Sequence, residues 1–239
     1  VVHRVFKTWT TKVNLFVTPS EFARQKCIAG GIPAEKIVVK PNFVADERLN
    51  AKDKAAQRSY ALFVGRLTPE KGVLTLLRAW EKLNLPVPLK IVGNGPLAEL
   101  SKKSAQMSNH IEWLGQKDQA AVHELMRGAR FLLFPTQWYE TFGRVVVEAF
   151  AHGTPVIASE IGSAVELVKE KYTGLFFRPG DADDLAVRVT WAWAHPEEMV
   201  EMGRNARREY QEKYTAEKNY EMLMSIYEQA LHGRKAFIR

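Results

Sequence analysis

The chain has 239 residues, 46% of them hydrophobic and 26% charged, a globular balance that excludes disorder and collagen-like repeats. A single cysteine, Cys27, excludes an internal disulfide and a thiolate zinc site, and no run of about 18 apolar residues is present to span a membrane as a helix. The net charge of +7 sits at the ends: residues 1–40 carry seven Lys/Arg against two acids and residues 200–239 eight against six, while the stretch between is neutral, which argues against a nucleic-acid groove.

In chain order, residues 1–12 read as a short amphipathic helix. Val2, Val5, Phe6, Trp9 and Val13 recur at helical spacing, with Arg4, Lys7 and Lys12 elsewhere. Such a helix either packs on a neighbouring domain or, being basic and aromatic, rests peripherally on an anionic membrane surface. Residues 13–18 read as a buried strand, Ser20 starts a helix that ends at Gly30-Gly31, and Ile37-Val38-Val39 is a second strand. The start at Val1-Val2-His3, with neither Met nor a signal-peptide pattern, leads us to expect a fragment or a processed chain, placed in the cytoplasm.

Residues 43–59 are polar and lack apolar periodicity, so they read as a linker or surface loop. A regular alternation follows, with strands at 60–64, 88–92, 111–114, 131–134, 155–158 and 175–177. Helices are expected at 73–83, 96–107, 118–127, 143–152, 163–169 and 182–194, the last capped by Asp181. Continuously apolar strands that alternate with helices predict an α/β, doubly wound parallel sheet, Rossmann-like, with ligands beyond the carboxyl ends of the strands. Two more helices close the chain, and the last, 216–231, is expected to bury Tyr220, Leu223, Met224, Tyr227 and Leu231. The expected division is 1–42, 43–215 and 216–239.

The strand-end rule directs attention to three loops. After the first strand come Gly65, Arg66 and Lys71. Glycine allows a close backbone approach, and the two cations suit a diphosphate, Arg as a fork and Lys as a point charge. The alternative is a pair of surface salt bridges to Glu70 and Glu81. After the second strand, Gly93-Asn94-Gly95-Pro96 is a tight turn opening a helix. No G-x-G-x-x-G and no P-loop is present, so neither a dehydrogenase nor an NTPase is expected.

The richest segment is FPTQWYETFGRVVVEAFAHGTPVIAS, residues 134–159. Glu140 lies in a loop, Thr141-Phe142-Gly143 are expected to open a helix, and Glu148 lies inside it among apolar neighbours. Eight helical positions span about 12 Å. That exceeds the roughly 5–9.5 Å of a glycosidase carboxylate pair. The spacing suits instead an extended ligand with hydroxyl groups at both ends and phosphates between, met by the free amides of the helix start. The alternative is a structural ion pair at Glu148 and an exposed Glu140. Trp138 reads either as a wall for a sugar ring or as a loop anchor. His110, His123 and His152 read as structural or solvated.

Taken together, LFVGRLTPEKG (62–72), IVGNGP (91–96), I-x-W-L-G (111–115), the Glu140-x7-Glu148 spacing, TGLFFRPGDADDLA (173–186) and TPSEFARQKCIAGGIPAEKIVVKPN (18–42) resemble the retaining glycosyltransferases of family 4. The resemblance is to the nucleotide-sugar-binding half of their two-domain GT-B fold and covers nearly the whole chain. It implies that Arg66 and Lys71 bind and stabilise the donor diphosphate, that Glu140 holds hydroxyls of the transferred sugar, and that Glu148 binds the ribose. It places the backbone of Thr141, Phe142 and Gly143 near phosphates and sugar, and Leu114 and Lys117 near the base. It implies a UDP- or GDP-sugar donor, no metal or other cofactor, and a glycan or lipid-linked acceptor held by an N-terminal domain of which 1–42 would be the end. Alone, the chain is expected not to transfer sugar. Where such proteins often read Gly-Gly-x-x-Glu, residues 162–166 here read Gly-Ser-Ala-Val-Glu, with Ser163 in place of the second glycine. A non-catalytic nucleotide-sugar-binding module and a GT-B sugar-nucleotide epimerase are the competing readings.

Overall fold

The structure, a computed structural model, describes residues 8–46 and 58–235. Most of the amphipathic stripe, including Arg4 and Lys7, and most of the polar stretch 43–59 lie outside the described residues. Thr8–Lys12 is helical (α1). Phe16–Thr18 (β1) and Ile37–Val39 (β2) pair in parallel as a two-stranded sheet of their own. Glu21–Ala29 (α2) connects them, N-capped by the Ser20 hydroxyl, which accepts from the Ala23 N–H at 3.1 Å.

The main sheet contains Tyr60–Val64 (β3), Leu89–Val92 (β4), Ile111–Trp113 (β5), Ala129–Phe134 (β6), Val156–Ser159 (β7) and Gly174–Phe177 (β8). All pairs are parallel and the spatial order is β5-β4-β3-β6-β7-β8. Chain order therefore reverses between β3 and β6, the switch point where doubly wound sheets bind ligands. The helices are Val73–Lys82 (α3), Ala98–Met107 (α4), Gln119–Gly128 (α5), Arg144–Ala151 (α6), Ala164–Leu167 (α7), Ala182–Ala194 (α8), Pro196–Lys213 (α9) and Ala216–Lys235 (α10).

Alternate strand residues supply two cores, one on each face. Ala61, Phe63, Phe131, Leu133 and Ile157 meet α3 and α8 on one side. Leu62, Leu132, Phe134 and Val156 meet α5, α6 and Tyr210 of α9 on the other. Each such side chain taken fully from water stabilises the fold by about 1.5–3 kcal/mol, which is why these strands read as unbroken apolar runs.

Two expectations are overturned: the strand expected to be buried over 13–18 spans only Phe16–Thr18, with Val17 exposed, and the last helix turns its apolar stripe outward. Tyr220, Met224, Tyr227 and Leu231 of α10 are exposed, Tyr220 at 64% and Leu231 at 63%, and Ile226 is the buried apolar residue. Polar bonds set the rotation of the helix. Asn219 donates to the Pro41 carbonyl at 2.6 Å and accepts from Lys40 at 2.7 Å, and Asn14 donates to the Ala230 carbonyl. These bonds turn the Asn219 and Ile226 side inward. Periodicity found the apolar stripe but not which way it faces.

Candidate functional site

The loops after β3 and β6 are stitched together at the switch point. The Gln137 N–H donates to the Glu70 carbonyl at 2.8 Å, the Thr136 hydroxyl donates to the same carbonyl at 3.2 Å, and the Gln137 amide donates to Thr75 at 2.6 Å. Gly72, at φ +74, closes the short 3-10 turn Pro69–Lys71, and a Cβ there would stand 1.7 Å from the Pro135 carbonyl oxygen. Only glycine fits that crossing. The β4 loop joins the same stack. The Leu67 N–H donates to the Asn94 carbonyl at 2.9 Å, and a Cβ on Gly93 would meet the Gly65 oxygen at 1.8 Å.

These loops enclose a cleft of about 540 Å³, lined among others by Gly65, Arg66, Lys71, Glu140, Gly143 and Arg144. Lys71 is ion-paired with Glu140. The Thr136 hydroxyl lies 3.4 Å from the same carboxylate, a second acceptor within its reach besides the Glu70 carbonyl. Glu70 borders the cleft on the cationic side. Its own backbone N–H, then the Thr68 hydroxyl, then the Lys71 and Arg66 charges hold its carboxyl below the ordinary value. The ion-pair partner of Lys71 is Glu140, while its charge and that of Arg66 also act on Glu70.

The helix that points into the cleft starts later than its sequence suggests. Gly143 is left-handed at φ +80, so α6 begins at Arg144. Thr141 and Phe142 precede the helix and do not line the cleft. Phe142 is buried against Tyr214, and the Thr141 carbonyl accepts from Ser20 at 2.6 Å. The amides that open α6 toward the cleft belong to Arg144 and Val145, and Glu140 to Glu148 is loop and then helix, not one helical rise.

Glu148 lies one turn further along α6 and outside the lining of the cleft, which its ion-pair partner Arg144 does line. Its carboxylate, 16% exposed, is ion-paired with Arg144 at 3.1 Å. Burial pushes this carboxyl above its ordinary value, and the Arg144 charge partly offsets the effect. Arg144 was missed in the sequence, although the i,i+4 spacing to Glu148 is a readable signal. Thr136, whose hydroxyl lies beside Glu140, has no sequence signal of its own.

Asn94, Leu114 and Lys117 lie after β4 and β5 and outside the lining of the cleft. The Asn94 side chain caps its own turn at the Gly95 N–H, 2.8 Å away, and Lys117 is exposed. Ser163 takes an ordinary helical conformation at φ −70, so it needs no glycine. The glycine the site does need is Gly162, at φ +60, where a Cβ would reach 3.5 Å from the Glu140 backbone. His123 and His152 are buried with their rings 5.0 Å apart, His110 is exposed, and none of the three lines the cleft.

Fold and cleft together define a Rossmann-like ligand-binding domain whose switch-point site sets two cations and a helix N-terminus beside a carboxylate. Residues 45–209 match the family model for glycosyl transferases group 1, and the chain belongs to that family. It is 33% identical over 176 residues to the D-rhamnosyltransferase WbpZ of Pseudomonas aeruginosa, covering 72% of this chain and 46% of that protein. It is 36% identical over 132 residues to the phosphatidyl-myo-inositol mannosyltransferase of Mycolicibacterium smegmatis, covering 54% of this chain and 34% of that one. The crystal structure of Anabaena HepE in complex with UDP superposes with a TM-score of 0.80 at 23% identity, over 90% of this chain and 64% of that one, and shows the shared fold. The fold is thus that of the Rossmann-like C-terminal half of a GT-B glycosyltransferase. The chain spans about half the length of the curated relatives it matches. Among the described residues no helix is long and apolar enough to cross a membrane.

Proposed function

We propose that this chain is the donor-binding half of a retaining glycosyltransferase, which takes a nucleoside diphosphate sugar and transfers the sugar together with an acceptor-binding domain. The observation that carries this reading is the shared cleft of Arg66, Lys71, Glu140 and the first amides of α6 at the switch point. Arg66, Lys71 and the free amides meet the diphosphate and stabilise its charge as it leaves. Glu140 accepts hydroxyls of the transferred sugar, and Glu148 those of the ribose. Gly65 allows the close approach of the phosphates, and Asn94, Leu114 and Lys117 lie along the strand-end edge toward the base. Relatives named for rhamnosyl and mannosyl transfer, and a neighbour seen with UDP, support a sugar-nucleotide donor such as a UDP- or GDP-sugar. The cleft between two closed domains excludes water, so transfer belongs to the whole enzyme.

A thermal-shift and calorimetry panel of UDP, GDP, ADP and their sugars tests the reading. One nucleotide is expected to bind, and its sugar form to bind more tightly. Failure of every nucleotide to bind would overturn the assignment. Indifference of binding to replacement of both Arg66 and Lys71 would do the same.

A further inference from the structure

The segment before the main sheet contacts the loop that carries Glu140. The Ser20 hydroxyl caps α2 and donates to the Thr141 carbonyl at 2.6 Å, one residue after Glu140. One residue before it, the Tyr139 ring lies 5.2 Å from the Phe22 ring, with the Lys26 ammonium 4.8 Å from the Tyr139 centroid. Beneath these contacts, both oxygens of the Glu166 carboxylate accept from the first amides of α2, from Glu21 at 2.8 Å and from Phe22. Gly162, four residues before Glu166, is left-handed at φ +60, and a Cβ there would lie 3.5 Å from the Glu140 backbone.

We propose that Ser20, supported by Glu166, is a positioning residue for Glu140: the N-terminus of α2 is a latch that holds the sugar-binding carboxylate in register by gripping the residues on either side of it. The proposal rests on the donor-binding reading. Ser20 touches no ligand and acts through the Thr141 carbonyl. Ser20 is buried, and its hydroxyl donates to one backbone group and accepts from another, so its removal frees the loop and uncaps the helix together. Glu166 fixes α2 itself, because a carboxylate on two free amides at a helix start is a charge-assisted cap. A displacement of the β1–α2–β2 unit is therefore delivered to Glu140, while Arg66 and the first turn of α6 lie outside these contacts.

Two readouts test this on the full chain. Hydrogen exchange followed by mass spectrometry, with no ligand added, should show faster exchange of residues 138–142 in Ser20→Ala and restoration in Ser20→Thr. In calorimetry, the affinity gained on adding the sugar to the nucleoside diphosphate should fall roughly fivefold in Ser20→Ala, the equivalent of one lost hydrogen bond. Affinity for the nucleoside diphosphate alone should hold. Thr190→Ala, which removes a hydroxyl that donates to the Ala186 carbonyl at 2.8 Å within α8, away from the latch and from residues 138–142, controls for a lost helix hydroxyl. It should leave the sugar increment intact. Should Ser20→Ala not fold, Phe22→Ala removes the ring contact from a half-buried position and should produce the same faster exchange. Unchanged exchange at 138–142 overturns the latch. So does an equal loss of affinity for both ligands. A wild-type chain that binds no nucleotide at all overturns the donor reading instead, and the exchange data then still decide the tether.

Discussion

Lys71 and Glu140 are ion-paired with each other inside the cleft, so the group assigned to phosphate and the group assigned to sugar neutralise one another before any donor arrives. A donor must replace this pair with two better contacts, an anion for the ammonium and hydroxyl groups for the carboxylate. Glu140→Gln removes the competitor for Lys71 and keeps the shape. Affinity for the nucleoside diphosphate alone is expected to hold or rise, and the gain from the sugar to fall by about 1.5–3 kcal/mol, the range of hydrogen bonds to a charged group. Calorimetry with both ligands separates the two effects. Equal losses for both would contradict the division of roles.

Arg66 and Lys71 differ in what they leave behind. Arg66 is exposed at the cleft, and Arg66→Ala should weaken diphosphate binding by about 1.5–3 kcal/mol with little effect on stability. Lys71→Ala should weaken it by a similar amount and also leave Glu140 facing the phosphates without its partner. Combining Lys71→Ala with Glu140→Gln should therefore recover part of the diphosphate affinity. A double mutant no better than Lys71→Ala alone would show that the pair carries no coupling.

Much of this was legible in the sequence, because strands buried on both faces read as apolar runs and the loops between them end in glycine, proline and charge. β3 and α8 fall where periodicity and the Asp181 cap put them. The errors have physical causes. A left-handed Gly143 delays α6 by one residue and hands the cleft amides to Arg144 and Val145. The exposed stripe of α10 was assigned inward, because spacing alone does not record that Asn219 is the side chain bonded to the Pro41 carbonyl. Contacts between distant segments, such as Ser20 with Thr141 or Glu166 with the start of α2, leave no local pattern to find.

Gly72→Ala tests the stitching of the two switch-point loops. The methyl group would need a left-handed backbone at φ +74 and would collide with the Pro135 carbonyl. Strain at such a position and a backbone clash together are expected to cost about 2 kcal/mol or more. Chemical denaturation should show the loss, and diphosphate binding should fall with it because Lys71 sits in the displaced turn. Gly31→Ala, at a left-handed glycine with open space around it, should cost only about 1–2 kcal/mol and leave binding unchanged.

Glu148 gives the site a pH dependence whose sign is fixed by its surroundings. Burial raises its carboxyl above the ordinary value of an unfolded chain, and Arg144 pulls it part of the way back. The folded state therefore holds the proton more tightly than the unfolded one. Stability falls as pH rises from the unfolded value through the raised folded value, and the penalty is fully present above it. Glu148→Gln, which carries no charge, should thus be more stable than wild type at neutral pH, and the advantage should vanish below about pH 4, where both states are protonated. Binding runs the other way. A ribose hydroxyl needs the ionised carboxylate as acceptor, so wild-type affinity should fall with acidification, and the fall should begin above the ordinary glutamate range. Removing the offsetting cation with Arg144→Gln should move that midpoint to higher pH, whatever it does to the affinity itself. Thermal midpoints and calorimetric titrations across the acidic range measure both curves. A midpoint that stays in place in Arg144→Gln would break the link between this ion pair and the ribose site.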